Sequence, residues 1–466
     1  MLVSSHPFTL FDYFRVPYEV TPGAGELGRI GNADRAVVWP AGAAAAASRR
    51  GLWLLDGARF YAGVTADADV RTWERTLGGR WDDLAEVHDP QGRRVTAVRR
   101  RSDGTLLLPF DPGDAMVSAW SESYAGEQPE ARSHAKRLAT TGYYAVRPAL
   151  PRPLQLALRR SFSRIQARTP YPRWPIESGL HDLYRLLFRW LAQALGDPLP
   201  ALDPWPDGKR WALVLTHDVE HAEGYRSIPL MRDLERDLGY RSAWFLVPER
   251  DYVVEDSVVA ALRAEGFEVG VHGLRHDGRD LSPSVLPERL PAMARWRDRW
   301  GATGFRSPAT HRNWKTMPTL GFAYDSSSFD TDPFEPQSGG CCTWLPFHNG
   351  ELVELPLTLT MDHTLFVILR RDASAWEEKG DFLRDRGGMA LLLTHPDYMR
   401  DEASLEAYRR FLRRYADDDT AWLALPSEVA AWWDRRAASR VEANGAEPRV
   451  IGPAAGEARI VLMGAD

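Results

Sequence analysis

From residue 210 onward, short apolar runs alternate regularly with amphipathic segments of ten to fifteen residues, and this alternation constrains the fold most strongly. The runs WALVLTHD, SAWFLVPE, EVGVHG and MALLLTHP predict buried strands, and the intervening segments, among them DSVVAALRAEGF and SLEAYRRFLRRYA, predict helices. Strands that alternate with helices form βαβ units, which build a parallel sheet or barrel. The sequence therefore predicts an α/β fold over residues 208–436.

Polar motifs follow several of these strands at the point where each strand ends. They are THDVE, HGLRH, FRSP, YDSS and THP, in chain order. In parallel α/β folds the functional site lies at the carboxyl ends of the strands. We therefore expect these motifs to meet at one site.

The histidines of HGLRH and the carboxylates of THDVE have the chemistry of a metal centre. Two imidazoles, His272 and His276, and a carboxylate can hold a divalent ion with positions left open for water and substrate. A metalloprotease helix would carry Glu at position 273, where Gly273 stands, so we expect the histidines on a strand-end loop. Asp218 and Glu220 are separated by one residue, so that side chains leaving a strand at these positions point to the same face.

One of these two carboxylates can bind the ion while the other accepts a proton from the attacking water. The sequence leaves open which of them does which. An alternative role for Asp218 is that of a helix N-cap, which would satisfy free backbone amides.

The segments LVLTHDVE, VGVHGLRH, GFRSPATHRN, GFAYDSSSF and LLLTHP, in this order, resemble the polysaccharide deacetylase family (NodB-homology domain, carbohydrate esterase family 4), in a divergent branch. The resemblance covers about residues 210–435. It implies a distorted (β/α) barrel that hydrolyses N- or O-acetyl groups on sugars, with a divalent metal, Zn²⁺ above all, as cofactor.

The first motif of that family has two adjacent aspartates, a base and then a metal ligand. Asp218 matches the first, Val219 stands at the second position, and Glu220 follows. The resemblance implies that His272 and His276 bind the metal. With Val219 in place of the second aspartate, either Glu220 or Asp218 is the expected carboxylate ligand.

The later motifs imply further catalytic residues. Arg306 would pair with the catalytic carboxylate and keep it ionised, and His395 would be the general acid. The fourth motif calls for an aspartate near an aromatic residue, and we choose Asp325, with Asp330 or Asp332 as alternatives. The expected substrate-binding residues are His311, Trp314, Pro308 and Tyr398, and Asn313, Asp362 and His363 are further candidates for the lining of the sugar site.

A chain of 466 residues exceeds one ordinary core, so we expect several segments. Residues 1–145 predict a smaller α/β domain of unknown role, and residues 146–207 a helical connector and linker. The apolar stripe of ESGLHDLYRLLFRWLAQALG and the spacing in PALPRPLQLALRRSFSRIQA predict helices there. Residues 437–466 form a tail.

Charge and composition exclude some classes of function. A net charge of −6 argues against a nucleic-acid partner. No apolar run reaches the ~18 residues of a membrane span, and the N-terminus lacks the pattern of a secretion signal, so we expect a cytoplasmic protein. Adjacent Cys341 and Cys342 predict reduced thiols. The oligomeric state is left open.

Three functions are compatible with these residues. The leading hypothesis is a metal-dependent hydrolase that removes acetyl groups from an N-acetylated or O-acetylated sugar, as polymer or precursor. Val219 motivates the second, a catalytically silent carbohydrate-binding protein on the same fold. The third is a hydrolase of non-sugar C–N bonds.

Overall fold

The computed structural model describes residues 2–21, 25–32, 35–127, 160–161, 165–442 and 447–465. Most of the helix predicted from PALPRPLQLALRRSFSRIQA lies outside these residues. The chain divides into two compact units. The first comprises residues 1–128, 178–208 and 435–466, and the second comprises residues 129–177 and 209–434.

The strands of the described residues are β1 Val3–Ser4, β2 Glu19–Val20, β3 Leu27–Gly31, β4 Ala36–Pro40, β5 Arg49–Leu55, β6 Ala58–Val64, β7 Trp81–His88, β8 Arg94–Arg101, β9 Leu106–Leu107, β10 Leu199–Leu202, β11 Trp211–Val219, β12 Ala243–Leu246, β13 Glu268–Val271, β14 Gly304–Phe305, β15 Tyr324–Asp325, β16 Phe347–Asn349, β17 Leu352–Glu354, β18 Met389–Thr394, β19 Ala421–Ala424, β20 Arg440–Glu442, β21 Arg449–Ile451 and β22 Ile460–Met463.

The α-helices of the described residues are α1 Thr9–Phe14, α2 Gly42–Ala46, α3 Asp67–Leu77, α4 Pro112–Trp120, α5 Gly179–Leu195, α6 Ala222–Asp237, α7 Asp256–Ala264, α8 Leu286–Trp300, α9 Ser374–Asp385, α10 Glu402–Tyr415 and α11 Pro426–Ala437.

The first unit is built on a mixed nine-stranded sheet with the order β2-β1-β3-β4-β9-β8-β7-β5-β6. Helix α5 buries the apolar stripe that the sequence predicted, with Leu183, Leu187 and Trp190 among its buried residues. The apolar segment of the tail forms β22, which pairs antiparallel with β10.

The second unit contains a nine-stranded sheet, in which eight strands follow the order β16-β17-β15-β14-β13-β12-β11-β18 and the ninth, β19, pairs with the first half of β11. Only the β16–β17 pair is antiparallel within this path. All nine residues of β11 are buried, as expected for a central strand covered on both faces. The predicted parallel α/β fold is confirmed.

The chain after β17 runs from β15 toward β18. The amide of Leu355 donates to the Asp325 carbonyl at 2.9 Å, and the amide of Leu357 donates to the Ser328 carbonyl at 2.8 Å. Two residues later the amide of Leu359 donates to the Leu391 carbonyl of β18 at 3.1 Å. Strand edges that would otherwise be open are thereby partly paired.

Strands β14 and β15 are two residues long each, and polar side chains explain why they end so early. The amide of Ser307 donates to Ser327 Oγ at 2.9 Å, and the amide of Ser328 donates to Glu354 Oε1 at 2.9 Å. Side-chain acceptors therefore replace ladder hydrogen bonds as soon as the motifs begin.

Two further expectations concern thiols and membranes. Cys341 and Cys342 are both buried and form no disulfide. Among the described residues, no helix has the length and apolarity that a membrane crossing requires.

Candidate active site

The register of the sheet brings the strand-end motifs to one level. Val219, Leu246, Val271 and Phe305 are partners across β11, β12, β13 and β14. The residues that follow the first, third and fourth of these are Glu220, His272 and Arg306. On the other side of β11, His217 pairs with Thr394, so that Asp218 and His395 are the next residues of their strands. Parallel register therefore brings these five residues to one level, and the loop after β13 adds His276.

Glu220, His272 and His276 form a group that fits a metal ion. One potential ligand atom from each lies within 4.8 Å of the other two. Glu220 Oε1 is 2.9 Å from His276 Nε2. The Nε2 atoms of both histidines are buried and neither makes a hydrogen bond, because the 2.9 Å contact of His276 with Glu220 lacks the alignment of one. Buried polar atoms are nearly always paired, so two unpartnered imidazole nitrogens beside a carboxylate indicate a cation-binding site.

The imidazole of His272 is held in the form that a metal ligand requires. Its Nδ1 lies 3.0 Å from the Arg306 carbonyl oxygen, which can only accept, so Nδ1 carries the proton and Nε2 presents its lone pair. Burial lowers the pKa of His272 to about 4, although the Asp218 carboxylate opposes this shift. His272 is therefore neutral near pH 7.

The HGLRH segment is a tight loop, as predicted, and not a helix. Gly273 has a φ of +63°, and a Cβ there would lie 2.2 Å from Asp280 Oδ2. Asp280 accepts from the amide of Leu274 at 3.1 Å and from Arg289 at 2.7 Å. His276 itself adopts a φ of +54°. A non-glycine residue in this region is strained, and the Asp280–Arg289 pair holds the loop that imposes it.

Asp218 is paired with Arg306 next to the metal-binding group. Asp218 Oδ1 accepts from Arg306 Nη1 at 3.0 Å, and Asp218 Oδ2 lies 3.6 Å from His272 Nε2. Burial tends to raise the pKa of Asp218, but the charges of His272, Arg306 and His395 outweigh it and lower the pKa. The carboxylate is therefore ionised, with one oxygen held by Arg306 and the other facing the site.

Arg306 is fixed by several contacts in addition to Asp218. Its Nε donates to the Ser326 carbonyl at 2.7 Å, its Nη1 donates to Thr216 Oγ1 at 3.0 Å, and it lies over the ring of Phe245. A planar guanidinium with its donors satisfied in this way gives Asp218 a single orientation.

His395 forms a second charged pair on the other side of the group. Its Nδ1 lies 2.6 Å from Asp362 Oδ1, and its amide donates to Asp362 Oδ2 at 2.7 Å. Its Nε2 faces Glu220 Oε1 at 3.8 Å. Burial by itself lowers the pKa of His395, but Asp362, with help from Glu220 and Asp218, raises it to about 10. The imidazole is therefore protonated, with one N–H directed toward the site.

Comparisons with known proteins give similarity in fold. Solved structures of polysaccharide deacetylases are similar to part of this chain. A Mycobacterium smegmatis protein of that description is 20% identical, with a TM-score of 0.42, over 52% of this chain and 96% of its own. One from Pseudomonas aeruginosa PAO1 is 18% identical, with a TM-score of 0.41, over 57% of this chain and 98% of its own. A Puue allantoinase is 18% identical, with a TM-score of 0.40, over 57% of this chain and 98% of its own.

No known protein-family profile matches the chain, and no curated protein matches it. The case for a function therefore depends on the positions of the side chains.

The predicted site residues fall into two sets. The structure brings together Asp218, Glu220, His272, His276, Arg306 and His395. Asp325 is buried on β15, one residue before Ser326, which binds Arg306; it accepts from Ser327 Oγ at 2.8 Å and is the register partner of Glu354. Burial raises the pKa of Asp325 to about 6, while Glu354, Ser327 and Arg306 lower it. Its catalytic role stays a prediction.

The alternatives to Asp325 also have other partners. Asp330 forms a buried ion pair with Lys379 at 2.7 Å. Asp332 accepts from the amide of Phe334 at 2.6 Å, within a turn.

The N-cap alternative for Asp218 is wrong, because Asp218 lies in β11 and α6 begins only at Ala222.

The predicted substrate-binding residues are placed as follows. Tyr398 packs beside His395 and His363, with ring centroids 5.5 and 4.9 Å apart. Pro308 packs beneath Gly273 and so supports the histidine loop. Trp314 is half-buried and stacks on Phe347 of β16. His311 lies 3.3 Å from the Gly278 carbonyl.

Sequence reasoning missed Asp362 as the partner of His395, and it missed Asp397 and Arg250 altogether. Asp362 was a candidate only for the lining of the sugar site. It stands at the start of a π-helical turn, His363–Ile368, where no periodicity marks it. The available signal was the general one that a catalytic histidine needs an orienting carboxylate.

Proposed function

We propose that the second unit is a metal-dependent hydrolase that removes an acetyl group from an N-acetylated or O-acetylated sugar. The observation that carries this proposal is the group Glu220, His272 and His276, whose two unpartnered imidazole nitrogens face a carboxylate. Two imidazoles and one carboxylate are a donor set that suits Zn²⁺ in a catalytic site with open positions. When bound there, the ion would polarise the acetyl carbonyl and lower the pKa of water.

Asp218 is the proposed general base. Its ionised carboxylate is adjacent to His272 without belonging to the metal-binding group, so it can accept the proton of the attacking water. Arg306 keeps Asp218 ionised and oriented. This division makes Glu220 the carboxylate ligand and gives Val219 no role in the chemistry, because its side chain leaves the strand on the opposite face.

His395 is the proposed general acid. Its protonated imidazole directs Nε2–H toward the same space as Asp218 and Glu220, and it can give that proton to the departing amine or alcohol. Asp362 holds the ring in this orientation. The opposite pKa shifts of Asp218 and His395 leave the first as a carboxylate and the second as an imidazolium near neutral pH, the states that a base and an acid need.

The sugar substrate is proposed on the motif resemblance and on one structural feature. His363 and Tyr398 form an aromatic pair next to His395, at the place that the leaving group would occupy. Aromatic faces pack well against the apolar faces of sugar rings.

Acetate release from N-acetylated chito-oligosaccharides by the Zn²⁺-loaded full chain tests the proposal. We expect turnover that falls at least about 100-fold in Asp218→Asn while the zinc content stays the same. Absence of turnover in the wild type, or equal turnover in the variant, would contradict it. Chelator-resistant hydrolysis of a small non-sugar amide would favour the third hypothesis instead.

A further inference from the structure

The metal ligand Glu220 is held at its main chain by two side chains that take no part in the proposed chemistry. We propose that Asp397 and Arg250 are positioning residues that fix the Glu220 peptide and thereby set the affinity of the site for its metal ion. This inference rests on the proposed function, since it concerns the same metal-binding group.

Asp397 binds the turn that carries Glu220. Its Oδ2 accepts from the amide of Glu220 at 3.1 Å, and its Oδ1 accepts from the amide of Gly224 at 2.9 Å. The carboxylate fits closely, because a Cβ at Gly224 would lie 2.3 Å from Asp397 Oδ2. Asp397 stands two residues after His395. One side chain therefore ties the ligand turn to the strand end that bears the general acid.

Arg250 binds the main chain of the same residue at its carbonyl. Its Nε donates to the Glu220 carbonyl at 3.0 Å, and its Nη1 lies 3.3 Å from the Arg275 carbonyl, one residue before His276. The neighbouring Glu249 pairs with the Arg275 side chain at 2.8 Å. A single guanidinium thus connects the two loops that supply Glu220 and His276.

The position of Glu220 explains why such contacts matter. Strand β11 ends at Val219, so Glu220 lies just beyond the paired part of the strand. Its amide and carbonyl bond to Asp397 and Arg250 instead of to a neighbouring strand. Glutamate also has one more rotatable bond than aspartate, so more conformational freedom must be lost when it binds an ion. Fixing the main chain removes the backbone part of the ordering cost before the ion arrives, so that only the side chain remains to be ordered.

The test is the Zn²⁺ affinity of the full chain, measured by competition with a chromogenic chelator. Asp397→Asn retains one acceptor but places an amide N–H₂ against one of the two backbone amides, and Arg250→Met removes both donors. We expect the dissociation constant for Zn²⁺ to rise about 10-fold to 100-fold in each variant, the range for residues that orient metal ligands.

Matched controls come from the same unit. Arg241 also donates to two backbone carbonyls, those of Glu265 and Tyr240, and Asp401 also accepts from a backbone amide, that of Ser404. Arg241→Met and Asp401→Asn should leave the dissociation constant within about twofold of the wild type, a change of under 0.5 kcal/mol.

The outcomes separate this inference from the proposed function. A wild type that binds no Zn²⁺ would overturn the function and the inference together. Binding that is lost in Glu220→Ala but unchanged in Asp397→Asn and Arg250→Met would overturn only the inference. If either variant does not fold, Asp397→Ser and Arg250→Lys, which each keep part of the hydrogen bonding, replace it. The d–d spectrum of the Co²⁺-substituted protein gives a second readout, which a loss of fold stability alone would leave unchanged.

Discussion

The charge of His395 depends on Asp362, and removing that carboxylate gives a sharp test of the proposed general acid. Burial alone lowers the pKa of His395, yet Asp362 with Glu220 and Asp218 raises it to about 10. Asp362→Asn keeps the shape and an oxygen that can accept from Nδ1, and it removes the charge. Burial should then hold the pKa of His395 at or below its ordinary value of about 6.5.

The expected loss follows from the protonated fraction. In the wild type, His395 is almost fully protonated at pH 8. With a pKa of 6.5, the protonated fraction is about 3% at pH 8 and about three quarters at pH 6. Turnover of an N-acetylated sugar by Asp362→Asn should therefore fall at least about 30-fold at pH 8 and much less at pH 6.

Rates of acetate release between pH 5.5 and 10 for wild type and Asp362→Asn measure this effect. The control substrate is 4-nitrophenyl acetate, whose leaving group departs without a proton, so its hydrolysis should be nearly equal in the two proteins. Asp372→Asn, which alters a surface carboxylate that binds Ser374, is the control variant. An unchanged alkaline limb in Asp362→Asn would refute the assignment of His395 as general acid.

The same pKa shift has a consequence for stability. Because the pKa of His395 is raised in the folded state, its contribution to the free energy of unfolding is fully present below about pH 6.5 and is lost as the pH rises through about 10. Chemical denaturation of wild type and Asp362→Asn should therefore differ most at low pH and converge at high pH.

Three further substitutions test other parts of the site. Arg306→Met leaves the buried Asp218 carboxylate without its cation, so it should lower the free energy of unfolding by about 3–5 kcal/mol. It should also move the acid limb of the pH–rate profile to higher pH. A loss under 1 kcal/mol in urea titrations would count against the pair. Gly273→Ala places a Cβ against Asp280 at a positive φ and should cost roughly 1–3 kcal/mol and weaken Zn²⁺ binding, whereas unaltered binding would show that the loop is adaptable. Val219→Asp recreates the paired aspartates of the family motif but buries a carboxylate on the face of the strand opposite Asp218 and Glu220. Thermal unfolding should therefore occur at a lower temperature, with no gain in metal affinity. Tighter Zn²⁺ binding would contradict the assignment of Glu220 as the carboxylate ligand.

Much of the second unit could be predicted because its signals are local. The apolar run of β11 is buried throughout, and α10 buries Leu405, Tyr408 and Leu412 on one face, as its helical spacing indicates. The metal-binding histidines could be predicted as well, since parallel register forces residues at successive strand ends to one level.

The division between Asp218 and Glu220 could not be predicted, because it depends on a contact distant in sequence. Both carboxylates leave β11 on the same face, and only the approach of Arg306 from β14 shows that Asp218 is already engaged. Asp362 lies 33 residues from His395 in an irregular turn, beyond the reach of any periodic pattern. Asp325 was chosen because an aromatic residue precedes it. Its pairing with Glu354 of β17 could not be predicted, because the sequence does not show which strand lies next to β15.

The most direct test of the account is anomalous diffraction at the zinc absorption edge from crystals of the Zn²⁺-loaded protein. We predict one strong peak about 2.0–2.2 Å from a Glu220 carboxylate oxygen and from the Nε2 atoms of His272 and His276, with Asp218 still paired to Arg306. A peak bound by Asp218 in place of Glu220 would overturn the assigned roles. The absence of a peak at the two histidines would contradict the metal-dependent mechanism.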